Sequence, residues 1–254
     1  MKISIVTISF NQAKYLRQCI DSILSQTSCD LEYIVVDAGS TDGSRALIES
    51  YDDRIIKVFE PDDGPADGLN RGFKHATGQI YGFINADDYL LPDALQYIDK
   101  YFSKKGLQYF VTGQGYTEDA KGAFIKIRPQ PLVARDMLHR SAVMFQQATF
   151  FPARAFHEVG GFNVSNSTCW DYELFLRFLL QDLRHEVIPD AVAAFRLHKE
   201  SISGSGRLTE RYLNDLDKIF IEVCGRPRGV KDRLFTTALR VRRELLRRVG
   251  LHSN

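Results

Sequence analysis

The chain of 254 residues is 44% hydrophobic and 26% charged, the balance of an ordinary soluble protein. Its net charge of +1 conceals an asymmetry: residues 226–248 carry nine basic side chains against two acidic ones, so an acidic body is joined to a basic tail. No run of 18 apolar residues exists to span a membrane, and no recognition motif accompanies the basic charge, which argues against nucleic acid as a partner.

Lys2–Ser9 is rich in Ile, Val and Thr and reads as a strand. Ser4, Thr7 and Ser9 interrupt its apolar run and no small-residue cleavage site follows, so a secretory leader is not expected there. From Lys14 to Gln26 the residues Tyr15, Leu16, Cys19, Ile20, Ile23 and Leu24 recur at spacings of three and four, which predicts an amphipathic helix. Glu32–Asp37 is a second strand, running into the turn-rich loop Ala38–Ser44 and a helix over Arg45–Tyr51. Ile55–Glu60 is a third strand, and Gly64–Ala76 contains a helix closed by Gly78. After Ile80–Asp88 comes a helix from Pro92 to Ser103 with proline in its first turn.

Strand followed by helix, four times over, implies a parallel sheet flanked by helices. The loops at Ser9–Asn11, Asp37–Asp42 and Asn85–Asp88 all follow strands and should gather along one sheet edge. The second half changes character. Gln108–Gly115, Ala123–Arg128 and Ala148–Phe151 read as strands, and Ala153–Val159 as a short helix. Asp171–Asp182 reads as a helix, and Ile188–Leu197 as a strand interrupted early by Pro189 and Asp190. With no repeat or low-complexity linker, one domain is expected to residue 205, with a helical extension over 206–254. Cys19, Cys29, Cys169 and Cys224 form no Cys-x-x-Cys pair and read as reduced thiols of a cytosolic protein.

Ile80–Asp88 carries the strongest chemical signal. It opens as a short apolar run suited to a buried strand and ends in Asn85-Ala86-Asp87-Asp88. Two carboxylates at the mouth of an apolar strand suggest a cation where α/β sheets bind ligands. The same residues also read as the approach to a helix. A dinucleotide fingerprint and a phosphate-binding P-loop are both absent after the first strand.

The ordered set of motifs resembles the family 2 glycosyltransferases. It comprises Ile5–Asn11, Val35–Ser44, Gly64–Gly72 with Ala76–Gly78, Asn85–Asp88, Gly160-Gly161-Phe162 and Asp171–Arg177, covering roughly residues 3–200. The resemblance implies a GT-A fold, Rossmann-like, with a mostly parallel central sheet. Residues 1–105 would then bind the nucleotide-sugar donor and 106–205 the acceptor. It further implies inverting transfer of a hexosyl or N-acetylhexosaminyl group from a nucleotide diphosphate, usually UDP, with Mn²⁺ or Mg²⁺. On that basis Asp37 is expected to accept a hydrogen bond from the base, with Thr7, Ile8, Ser9, Phe10 and Asn11 lining it. Asp67, Asn70 and Arg71 are expected near the ribose and diphosphate, although Asp67 and Arg71 also read as an i,i+4 ion pair. Asp87, with Ala86 beside it, is the expected metal ligand, and Asn85 departs from the commoner Asp. His198, in Arg196-Leu197-His198-Lys199-Glu200-Ser201-Ile202-Ser203, resembles a late motif that approaches the metal or diphosphate.

Asp171 is the expected general base, and it also suits a helix first turn. Trp170 stands where many relatives carry Glu. Trp170, Gln147 and Glu173 are expected on the acceptor side, with packing as the plainer role for Trp170.

The tail from Val230 to Val249 reads as a basic amphipathic helix that would lie on an anionic membrane surface or pack on protein. The expected setting is surface polysaccharide assembly with a glycan or lipid-linked acceptor, cytoplasmic and peripheral on the inner membrane face. A homo-oligomer is compatible with this. The alternatives are a weak or inactive glycosyltransferase-like assembly partner and a sugar nucleotidyltransferase, which would want a basic Gly-rich loop that Ile8–Asn11 does not provide.

Overall fold

The computed structural model describes residues 1–198 and 208–248. The first half alternates strand and helix as expected: β1 (Lys2–Ser9), α1 (Ala13–Leu24), β2 (Asp30–Asp37), α2 (Ser44–Glu49), β3 (Ile56–Phe59), α3 (Pro65–Phe73) and β4 (Ile80–Asn85). These strands pair in parallel in the order β3-β2-β1-β4. Parallel pairing stops at β4, whose other neighbour is the antiparallel β8 (Thr149–Pro152). Beyond it lie β6 (Tyr109–Glu118), with β7 (Phe124–Ile127) as its hairpin partner, and β9 (Arg184–Arg196).

The helices of the second half are α4 (Ala94–Lys105), α5 (Ala134–Leu138), α6 (Ala153–Glu158), α7 (Trp170–Leu180), α8 (Thr209–Cys224) and α9 (Val230–Arg248). The proposed boundary at residue 205 and the motif residues Lys199–Ser203 lie outside the described residues.

Two local readings are corrected. Tyr89–Leu90, expected to lead into a helix, is a short strand, β5, antiparallel to β9. β5 ends the order on the side opposite β3, yet only Ala86–Asp88 separate it from β4. The four steps from Asn85 to Tyr89 reach about 14 Å at most, so the sheet must curl until β9 returns near β4. The acidic turn is the seam. The last long strand also starts earlier than Ile188, at Arg184, and continues through Pro189 and Asp190. Its register against β6 jumps from Thr112↔Val187 to Gln114↔Ala191, so the proline falls in a bulge where no ladder donor is required.

Apolar cores fill both sheet faces. Ile3, Ile5, Val35 and Ile84 pack under α1 and α4, while Val6, Val36, Tyr81 and Phe83 pack under α3 and α7. Helix α3 sits so close that a Cβ on Gly72 would lie 2.4 Å from Val6. The second face is aromatic: Phe73, Phe151, Phe156, Phe162 and Phe178 meet one another in tilted, edge-on and stacked pairs. Cys19, Cys29, Cys169 and Cys224 are all free thiols.

At the amino ends of the strands, buried Glu32 binds three segments together. It accepts from Ser4 Oγ (2.6 Å), from Thr77 N (2.6 Å) and Oγ1 (2.7 Å), and pairs with Lys2. Burial pushes its pKa up, but these donors outweigh burial and hold it at about 2, below the ordinary 4.5. A depressed carboxyl stabilises the fold above its unfolded pKa, and that contribution is lost as pH falls toward 2. Glu32→Gln is therefore expected to lower stability at neutral pH by about 1–3 kcal/mol. Urea titrations at pH 7 and pH 3 should show its gap to the parent narrowing at the lower pH.

Candidate functional site

The carboxyl ends of β1, β2 and β4 form the edge on which the expected residues converge. β1 and β2 run in register to Ser9↔Asp37. The loops that follow are knitted together: Asn11 N donates to Ser40 Oγ, Thr41 N to Asn11 Oδ1, Gln12 N to Ser44 Oγ and Ala13 N to Asp42 Oδ2. Asn11 holds this junction in the left-handed region, φ +54°. Asp37 is 1% exposed and accepts from Gly39 N (3.0 Å), Ser40 N (2.9 Å) and Ser40 Oγ (2.5 Å). A carboxylate has about four acceptor positions, and these bonds fill three of them.

The side chains lining the expected base site have unequal standing. Thr7 is buried, accepts from Tyr33 Oη and faces the core. Ile8 packs among the apolar residues of the α3 face. Ser9 Oγ is buried with no hydrogen-bond partner among the described residues, an orphan that a ligand would satisfy. Phe10 is 61% exposed, a large apolar ring presented at the loop.

The seam brings together residues far apart in sequence. His198, just beyond β9, places Nε2 3.0 Å from Asp87 Oδ2, and its ring lies 4.7 Å from that of Tyr15 on α1. Arg196 is 8% exposed and organises the turn. Its backbone N donates to Asp88 Oδ1 (2.9 Å), and its guanidinium to the Asp87 carbonyl (2.7 Å) and Gln18 Oε1 (2.6 Å). The guanidinium lies 5.0 and 5.1 Å from the Tyr15 and Tyr89 ring centres.

Asp88 is wholly buried, and Gln147 Nε2 donates to its other oxygen at 3.1 Å. Burial, then the charge of Asp87, press the Asp88 carboxyl well above its ordinary range. Asp88, Arg196 and Gln147 thus build the turn from which Asp87 projects, with Ala86 buried beneath it. Arg196 stands in the quoted late motif two places before His198. Its guanidinium–carbonyl contact depends on sheet closure, which no local pattern displays.

Asn85 ends β4 on the face shared with Phe83. The Trp170 ring lies 5.5 Å from Phe83 and 5.3 Å from Phe162, which docks the first turn of α7 against the carboxyl half of β4. At 8% exposure Trp170 packs rather than offering a platform. Asp171 follows. Its Oδ1 accepts from Tyr172 N (2.8 Å), and burial pushes its carboxyl up to about 6.

Other expected site residues are engaged within the protein. Glu173 is buried and accepts from Asn163 Nδ2 (2.8 Å) and Asn166 Nδ2 (2.6 Å). Asp67 pairs with Arg71 Nε at 2.9 Å, and Arg71 reaches Glu60 at 3.0 Å, the helix-face pairing foreseen from their spacing. Asn70 forms two 2.9 Å bonds with the backbone of Phe162, donating to its carbonyl and accepting from its N–H. Gly161, at φ +76°, would place a Cβ 2.7 Å from Asn70 Oδ1, so the Gly160-Gly161-Phe162 turn is shaped to receive that amide. Asn70→Ala leaves two backbone groups unpaired. It is expected to cost about 2–3 kcal/mol in urea unfolding.

Asp87 Oδ2 and His198 Nε2 share a hydrogen bond, and a divalent cation held by the pair would take its place. Neighbouring corners of an octahedron with bonds of about 2.1 Å are about 3.0 Å apart, the separation of these two donor atoms. No group of three or more His, Cys, Asp or Glu side chains able to hold a metal occurs among the described residues. A cation here would take two protein ligands and complete its shell with phosphate oxygens and water.

Comparisons with known proteins bear on the fold and the family. Solved structures share the fold at low sequence identity. S. aureus TarS 1-349 in complex with UDP-GlcNAc superposes with a TM-score of 0.72 at 16% identity, covering 94% of this chain and 70% of that one. The mannosyltransferase PcManGT of Pyrobaculum calidifontis, in complex with GDP-Man and Mn²⁺, gives 0.65 at 20% identity, covering 93% and 68%. Among curated proteins, an uncharacterized glycosyltransferase of Nostoc sp. is 42% identical over 106 residues, 40% of this chain and 33% of that protein. Chondroitin synthase of Pasteurella multocida is 31% identical over 179 residues, 69% of this chain and 18% of that protein. The chain thus spans a third or less of the length of these two curated relatives. The family model described as glycosyl transferase family 2 matches residues 4–203, and the chain belongs to that family.

Proposed function

We propose that the chain transfers a hexosyl or N-acetylhexosaminyl group, with inversion, from a nucleotide diphosphate donor to a hydroxyl of a glycan or lipid-linked acceptor. UDP is the favoured nucleotide and surface polysaccharide assembly the setting. One observation carries this reading: Asp171, its carboxyl raised by burial, opens the helix that Trp170 docks on Phe83 of β4, the strand whose following turn presents the Asp87–His198 pair. A base and an anion-organising centre together are what in-line attack of a hydroxyl on an anomeric carbon requires.

The donor's base would lie over Phe10 and Ser9, with its N–H on the open position of Asp37. Asn85 and Asp87 would face the diphosphate. Asp87 and His198 would hold Mn²⁺ or Mg²⁺, and such an ion supplies Lewis-acid stabilisation of a departing diphosphate. Asp171 takes the acceptor hydroxyl's proton as that oxygen attacks. The closed turn around Arg196 and Asp88 keeps Asp87 in place without consuming its carboxylate.

Support comes from TarS bound to UDP-GlcNAc and PcManGT bound to GDP-Man and Mn²⁺. No helix among the described residues is long and apolar enough to cross a membrane. Helix α9 exposes Val230, Leu234, Val241 and Leu245 between cations, which suits peripheral attachment to an anionic membrane face.

The test is nucleotide release from a panel of UDP-sugars and GDP-mannose, with Mn²⁺, with Mg²⁺ and with EDTA. Release with one donor that EDTA abolishes is expected. No turnover with any donor, together with donor binding that ignores Asp87→Ala, leaves the inactive assembly partner as the better reading.

A further inference from the structure

Helix α8 and helix α9 enclose a second cleft with the segment after α5. It measures about 550 Å³ and is lined by Arg140, Asp217, Arg228, Arg233, Thr237 and Arg240. Four guanidinium groups face a single carboxylate. Asp217 Oδ1 takes Arg140 Nη2 at 2.5 Å and Arg228 Nε at 2.8 Å, which leaves Arg233 and Arg240 without an ion pair among the described residues. The neutralisation is incomplete even for the inner pair. Arg140 Nε and Arg228 Nη1 are buried with no acceptor among the described residues, and buried cationic donors left unmatched are costly. Burial, then the neighbouring Arg140 charge, press the Arg228 pKa down against the pull of Asp217. Arg140 itself is held at φ +55°, a region costly for a residue with a long side chain.

The cleft is tied to the reaction centre. Arg140 N donates to the Met137 carbonyl at 2.8 Å, and the Tyr172 hydroxyl donates to that same carbonyl. Tyr172 follows Asp171 directly. On its next face α9 carries Leu234, Ala238, Val241 and Leu245, spaced by four, three and four and open to solvent. Thr237 borders both the cleft and this apolar strip.

We propose that this cleft binds a phosphoryl group carried by the acceptor substrate. The inference rests on the acceptor-side role assigned to Asp171 above. Guanidinium forks match phosphate oxygens in geometry as well as charge, and a phosphate would satisfy the unmatched donors. The phosphate's source is either a lipid headgroup, whose chains would lie along the apolar strip, or a phosphate on a soluble glycan.

Arg233 and Arg240 are exposed, so Arg233→Gln/Arg240→Gln should keep the thermal midpoint of the parent. Calorimetric titration of the full chain with inorganic pyrophosphate in EDTA is expected to show binding that this double variant weakens at least about tenfold. Asp87→Ala should bind pyrophosphate as the parent does. Equal affinity in the double variant, or loss of binding in Asp87→Ala, overturns the proposal. Co-sedimentation with vesicles of phosphatidylcholine, with or without phosphatidic acid, identifies the source. Loss of phosphatidic-acid-dependent binding in the double variant assigns the cleft to a lipid headgroup. Retained vesicle binding with lost pyrophosphate affinity assigns it to a soluble phosphate-bearing acceptor. Because no arm requires turnover, the absence of transferase activity would not mimic either overturning result.

Discussion

Asp171→Asn is expected to lower turnover by about two orders of magnitude or more and, at neutral pH, to make the protein more stable. The two effects share one cause. Burial raises the Asp171 carboxyl to about 6 from an ordinary 3.8, so holding it ionised at pH 7 opposes folding. A carboxyl raised in the folded state binds protons more tightly there than in the unfolded chain. Stability therefore falls as pH rises from about 4 to about 6, and the full cost, about 3 kcal/mol as an upper bound, is present above that window. Asparagine keeps the acceptor oxygen for Tyr172 N but carries no charge. The variant should melt a few degrees higher at pH 7.5 and match the parent near pH 4. A base must be ionised to act, so kcat/KM of the parent should climb through an acid limb near pH 6 that the variant lacks. If Asp171 serves α7 only as a first-turn residue, the variant loses stability and keeps its rate, the reverse on both counts.

How much of this was open to reading beforehand depends on whether a signal is local. The strand–helix alternation of the first hundred residues is periodic, and β1 to α4 appear with ends displaced by only a few residues. The loops carrying Ser9, Asp37 and Asp87 follow from it, since parallel strands put their carboxyl ends on one edge. β5 has two residues, too few for any period, and exists because β9 returns to pair with it.

The engagement of Asn70 with Phe162 spans 92 positions, and that of Arg196 with Asp88 spans 108. Such pairings depend on closure of the sheet, and side-chain type alone does not disclose them. Polar residues in a motif therefore divide in a way that only packing reveals. Asn70 holds the Phe162 backbone, Gln147 holds the buried acid Asp88 and Glu173 accepts from two asparagine amides, whereas Asp87 meets the His198 imidazole and Asp171 the N–H of the next residue.

The adjacent aspartates of the seam make the sharpest separation of fold from chemistry. Asp88 accepts from Arg196 N and Gln147 Nε2 in a fully buried setting, so Asp88→Ala strands two buried donors and loosens the sheet closure. A loss of about 2–4 kcal/mol in urea unfolding is expected. Asp87 differs in kind. Arg196 grips its backbone carbonyl, which alanine retains, and its carboxylate meets the His198 imidazole. Asp87→Ala should therefore unfold within about 1 kcal/mol of the parent while losing about 10²–10³-fold in metal-dependent turnover. His198→Gln should lose less, because its amide can still donate to phosphate or ligate weakly. Isothermal titration with Mn²⁺ and donor, beside the unfolding curves, separates the cases. If Asp87→Ala proved as destabilising as Asp88→Ala, or kept metal-dependent donor binding, the seam would be a structural turn and its carboxylates would have no role in the transfer.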